Sequence, residues 1–178
     1  MKTKFYLTFI EPALIYGGIL GVLYIIVSVV IHILNANFST ANQIINIVLP
    51  VGGLAFCLYM YRKEYLNNSM TYGRAFGMGI TIMFIVGILA AAYNYIYTSF
   101  INPDIFKQAQ IFMEEKLINK GLDARQIEAM IDRTAKIRTP LFSSLSALGN
   151  FIFLGLIAAL IVSAFVKKEN EDPFRDVI

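Results

Sequence analysis

Four long stretches of this chain carry no Asp, Glu, Lys or Arg, and they decide most of what it can fold into. They run from Ala13 to Leu34, Gln43 to Tyr61, Ala75 to Phe100 and about Leu145 to Val166. At ~1.5 Å of rise per residue, the first reaches roughly 33 Å as a helix, enough to cross a hydrocarbon core about 30 Å thick. Composition agrees: 57% of the residues are hydrophobic, 15% are charged, and mean hydropathy is +0.64. A soluble domain is about one quarter charged, so this chain lacks the charge to cover a water-facing surface. The expected fold is all-α: one integral membrane domain over residues 1–178, a bundle of four transmembrane helices.

Lys2 and Lys4 precede the first run, which raises a secretory signal peptide as an alternative. The length of the run, the Glu11-Pro12 interruption and the want of a small-x-small cleavage site favour a retained span. Pro12 suits the first helical turn and Glu11 the positive end of the helix dipole. In the second run, Pro50 and Gly52-Gly53 predict a kink rather than a break, because neighbouring helices in a membrane satisfy the freed carbonyl.

Lys/Arg placement predicts orientation. The first connection has none, the second has Arg62, Lys63 and Arg74, and the tail has Lys167, Lys168 and Arg175. With Lys2 and Lys4, this places both termini and the second connection in the cytoplasm. The segment from Ile101 to Ser144 holds seven Lys/Arg, none within six residues of a flanking run. It is the one substantial polar stretch, and it reads as a helical hairpin outside the membrane over about 102–139. Asn102-Pro103-Asp104 looks like a helix start, Gly121 a stop, and Asp123 with Gln126 a capping box. Thr139-Pro140 then opens the fourth span. Ile105, Phe106, Ala109, Phe112, Met113 and Leu117 form one apolar stripe, and Ile127, Met130, Ile131, Thr134 and Ile137 the other. Helices this short are marginal alone in water, so the stripes need cover. We expect Phe112 and Met113 to meet Met130 and Ile131 across the hairpin, with the membrane surface or a partner as the other coverings.

Ionisable groups inside spans usually mark relays and ion paths, and the four runs hold no Asp, Glu, Lys or Arg. His32, the sole histidine, has no neighbouring carboxylate or second histidine for a triad or metal site; it reads as an anchor or local hydrogen-bond partner. Cys57 is the sole cysteine and reads as a small packing residue. No nucleic-acid-binding face, cofactor motif or metal set is visible, so an enzyme is not expected. Asn46 and Asn94 either line a small polar cavity near the outer leaflet or bond between helices, the second being the commoner use. Small residues at helix-packing spacing include Gly17 and Gly21, Gly73 and Gly77, Gly79, Gly87 and Ala91, and the row Gly155, Ala159 and Ser163. Their simplest use is to pack the bundle; the sharper one is a homodimer through the last row. Tyr93, Tyr95 and Tyr97 at one end, with Tyr59, Tyr61 and Tyr65 at the other, read as an aromatic belt.

Several local stretches carry a family likeness. They are Tyr16-Gly17 with Gly21, Met70-Thr71-Tyr72-Gly73-Arg74-Ala75-Phe76, Asn102-Pro103-Asp104, Gly121-Leu122-Asp123, and Gly155 followed by Lys167-Lys168-Glu169. In these the chain resembles, along nearly its whole length, the bacterial four-span membrane proteins called domain of unknown function forty-one ninety-nine. The resemblance implies a Gram-negative inner-membrane protein of unassigned activity, with an accessory role in envelope assembly. The expected function is therefore a non-catalytic accessory or scaffold that binds the lipid bilayer and a membrane protein partner. The alternative is a small oligomeric transporter or channel built around Asn46, Pro50, Gly87 and Asn94.

Overall fold

The structure, a computed structural model, describes residues 9–135 and 139–168. Lys2, Lys4, Ile137, Glu169 and Arg175, which entered the sequence reading, lie outside the described residues, as does the side chain of Thr134. The helices are α1 (Glu11–Ile33), α2 (Thr40–Tyr65), α3 (Tyr72–Ile96), α4 (Ile105–Asn119), α5 (Ala124–Ala135) and α6 (Pro140–Val166). Among the described residues, α1, α2, α6 and α3 with its continuation to Ile101 are long and apolar enough to cross a membrane. The expected all-α membrane bundle is what forms.

Each helix starts and stops for local reasons. At the end of α1, Asn35 takes a left-handed φ of 52°. The Asn35 N–H then donates to the His32 carbonyl and the Ala36 N–H to that of Ile31, which satisfies two carbonyls at the helix end. Ser39 caps α2 by accepting from the Asn42 N–H at 3.1 Å. Gly121, at φ 76°, closes α4 in the same double-bonded way as Asn35, with the Leu122 N–H reaching the Leu117 carbonyl. Gln126 Oε1 accepts from the Asp123 N–H at 3.3 Å, the returning half of a capping box. Thr139 Oγ1 accepts from the Phe142 N–H at 3.2 Å, and Pro140 takes the first position of α6.

The second span is longer than its charge-free run, Thr40–Tyr65 against Gln43–Tyr61, the third starts at Tyr72 rather than Ala75, and the entry to the hairpin differs as well. The third span does not stop at Phe100 but widens into a π turn over Tyr97–Ile101, with the Asn102 N–H bonded to the Tyr97 carbonyl. The expected cap at Asn102 moves on to Asp104, whose side chain makes no cap bond and instead pairs with Lys107 at 2.9 Å.

The centre of the bundle is α3, which lies along α6 and, to a lesser extent, along α1; α2 touches all three. Leu54, Leu58, Met78, Ile82, Met83 and Val86 are wholly inaccessible and form a dry core. Leu14, Ile19, Ile26, Phe56, Phe84, Phe153 and Phe165 stand on the outer surface. In water such an apolar exterior would aggregate, whereas in a bilayer it is the solvated face.

At the end carrying the 66–71 connection, the described tail is tied down. Met70 and Lys168 exchange two backbone hydrogen bonds, at 2.7 and 3.0 Å. Arg62 Nη1 donates to the Val166 carbonyl, Arg74 Nε to the Tyr61 hydroxyl, and the Tyr16 hydroxyl to Glu64 Oε2.

Candidate polar cavity at the hairpin end of the bundle

Polar side chains from all four spanning helices converge at the other end, beneath the hairpin. Along α1, Tyr24, Ser28 and His32 recur every four residues and so share one face. Asn42 and Asn46 do the same on α2, while Tyr93 and Asn94 come from α3. With Ala90, Ala147 and Phe151 they surround a cavity of about 100 Å³.

Hydrogen bonds hold its walls. The Tyr24 hydroxyl donates to Asn46 Oδ1 at 2.7 Å, joining α1 to α2. Asn46 Nδ2 donates in turn to the carbonyl and Oδ1 of Asn42. The Tyr93 hydroxyl meets His32 Nδ1 at 2.6 Å, and the imidazole stacks on Tyr97. Asn94 Oδ1 accepts from the Ser143 hydroxyl at 3.0 Å and from that of Ser144 at 3.4 Å, joining α3 to α6. Asn46 and Asn94 thus both line the cavity and bond between helices. Further along α3, toward its start, Val86, Met83 and Ile82 are wholly inaccessible and belong to the dry core.

Other residues singled out from sequence fall elsewhere. Pro50 is fully buried within α2, and Gly87 packs on Phe151 and Leu148, so neither lines the cavity. A Cβ at Gly17 would come within 2.9 Å of Ile85, and one at Gly21 within 2.5 Å of Leu89, which makes this pair the seat of α3 on α1. Gly79 lies against Ala159, and a Cβ at Gly155 would meet Met83 at 2.5 Å. Ala159 and Ser163 are wholly inaccessible. Gly155 and Ala159 are therefore occupied by α3 of the same chain, and Ser163 is buried on the same row. The row packs the bundle, the simpler of its two expected uses. Gly73 meets nothing and Gly77 only the edge of Phe9, so their identical spacing packs no helix pair.

The aromatic belt is corrected as well. Tyr59 and Tyr95 are exposed, but Tyr61 and Tyr97 are buried and Tyr93 is bonded to His32. The regular step Tyr24–Ser28–His32 was the signal that could have found the cavity from sequence.

In the hairpin, Phe112 stacks on Phe38 of the first connection at 5.0 Å between ring centroids, with the Lys116 ammonium over its ring. The row that faces α5 is Gln110, Glu114 and Ile118, nearly opposite Phe112 around the helix. Together with Leu122, Ala124, Ile127, Glu128 and Ile131 it lines a crevice of about 530 Å³. Met113 is half-buried and Met130 is 49% exposed. Of the four residues expected to meet across the hairpin, Phe112 is turned to the first connection, while Ile131 lines the crevice with Ile118 and Ile127.

Among curated proteins and among solved structures, nothing matches the chain. A family match does cover residues 15–168, from the first span through the Met70–Lys168 pair, and on it the chain belongs to the family described as protein of unknown function (DUF4199).

Proposed function

We propose that this protein is a non-catalytic accessory of the bacterial inner membrane, holding a membrane protein partner through its hairpin during envelope assembly. The observation that carries this reading is the open crevice between α4 and α5, whose apolar wall is exposed Ile118 with Leu122, Ile127 and Ile131. Outside a membrane, apolar side chains around a concave surface gain from being covered. Both termini are cytoplasmic and the hairpin periplasmic in this proposal, which the Lys/Arg distribution supports.

The non-catalytic part draws on the cavity's chemistry. His32 there is engaged by a tyrosine, and among the described residues no carboxylate lines the cavity beside it, which supports a non-catalytic reading. A transporter reading draws on the same polar cavity. Against it stands the dry core, which would have to open for any solute to cross.

A photo-crosslinking side chain placed at Ile118, in cells making the full chain, tests the proposal. One reproducible protein adduct, lost on Ile127→Glu, is the expected result. Adducts to lipid alone would overturn it.

A further inference from the structure

A second space adjoins the polar cavity. Tyr24, Asn46, Ala147 and Phe151 line both the cavity and this space of about 370 Å³ between α2 and α6. Ile47, Asn150, Phe153 and Leu154 complete this second wall. Phe153 is 70% exposed and Asn150 is exposed as well, so the space is a cleft facing the acyl chains. Asn150 lies roughly 15 Å along α6 from its start, near mid-bilayer. Among the described residues its side chain makes no hydrogen bond. A primary amide facing hydrocarbon is costly unless something polar reaches it.

The cavity also keeps hydrogen-bonding capacity in hand. With its oxygen taken by Ser143 and Ser144, Asn94 has its amide N–H groups left. With Nδ1 held by Tyr93, His32 has its second ring nitrogen left. Ser28 donates to the Tyr24 carbonyl and keeps its lone pairs. Donors and acceptors are both on offer, as a hydroxyl group requires. Among the described residues, no Asp, Glu, Lys or Arg lines either space, so an ionic headgroup would sit there without a countercharge. At about 100 Å³ the cavity has the room of about three water molecules, the size of a short polyol.

We propose that cavity and cleft form one site for an uncharged, hydroxyl-bearing amphiphile of the acylglycerol class, taken sideways from the bilayer. The glycerol end occupies the polar cavity and the acyl chain follows the cleft past Phe153 and Leu154. This site is separate from the hairpin crevice, and its test is independent of any protein partner.

The test uses the full chain in phosphatidylcholine nanodiscs with a monoacylglycerol carrying a photoreactive diazirine in its acyl chain. Adducts should concentrate on α2 near Ile47 and on α6 near Phe153. Mono-oleoylglycerol should compete; oleate, phosphatidylglycerol and free glycerol should not. Asn94→Leu should cut labelling about tenfold, the scale of one or two lost hydrogen bonds. Should that variant fail to fold, Ala147→Phe decides, because Ala147 lines both cavity and cleft and a ring there would fill the space between them. Labelling spread evenly over the lipid-facing helices would overturn the proposal, as would equal competition by a charged lipid. Competition by free glycerol would replace the membrane amphiphile with a soluble polyol and overturn it too. So would full labelling of a folded Ala147→Phe protein.

Discussion

Gly155 on α6 and Met83 on α3 approach so closely that a Cβ added to the glycine would lie 2.5 Å from the Cβ of the methionine. Backbones this near have no room for a side chain. Gly149, six residues earlier on the same helix, has nothing within 4 Å of the same construction. Gly155→Leu should therefore destabilise the bundle by about 1–3 kcal/mol or more, the usual scale of overpacking. Gly149→Leu should be close to neutral. Thermal unfolding in detergent compares the two, and equal melting temperatures would contradict the packing described.

The Tyr24–Asn46 bond joins α1 to α2 within the membrane. Intramembrane side-chain hydrogen bonds couple by ~0.6 kcal/mol on average and up to about 1.7. A double-mutant cycle with Tyr24→Phe and Asn46→Leu should return a coupling in that range, near its upper end because the bond is short at 2.7 Å. Additive effects of the two substitutions would mean that the bond contributes nothing.

Phe112 against Phe38 ties the hairpin to the first connection. Phe38→Cys with Phe112→Cys, in a Cys57→Ala background, should be linked by a short bis-maleimide in membranes. Phe112→Asp should raise protease cleavage near Gly121 while leaving the four spans inserted. Unchanged digestion would show that the stacking does not restrain the hairpin.

Orientation is read by labelling. In the Cys57→Ala background, Gln126→Cys should react with an impermeant maleimide once the outer membrane is permeabilised, and Asn170→Cys should react only after the inner membrane is opened. The reverse pattern would invert the topology.

What the sequence made legible is whatever is written locally. Charge-free length marks a span wherever it occurs, and Gly121, Thr139-Pro140 and the Asp123–Gln126 spacing mark ends through chemistry confined to a few residues. Which faces meet is a different matter. Gly17/Gly21 and Gly73/Gly77 share one spacing, yet only the first pair seats a helix. In a bilayer the inside and the outside of a bundle are both apolar, so hydropathy does not separate them. The cavity was hidden for a related reason. Tyr93 and Tyr97 come near the end of a charge-free run, where a belt is expected, and the same residue type serves a belt or a buried hydrogen bond depending on which way its helix is turned.

The central place of α3 has a consequence for how the protein is made. Its closest-packed side belongs to α6, which leaves the ribosome only after the hairpin between them. About 40 residues separate the two helices, which at about 5–20 residues per second is roughly 2–8 s of synthesis. For that interval the groove that later receives Gly155 and Ala159 faces lipid or the insertion machinery. Biogenesis of this bundle thus includes a built-in wait, and its length is set by the hairpin.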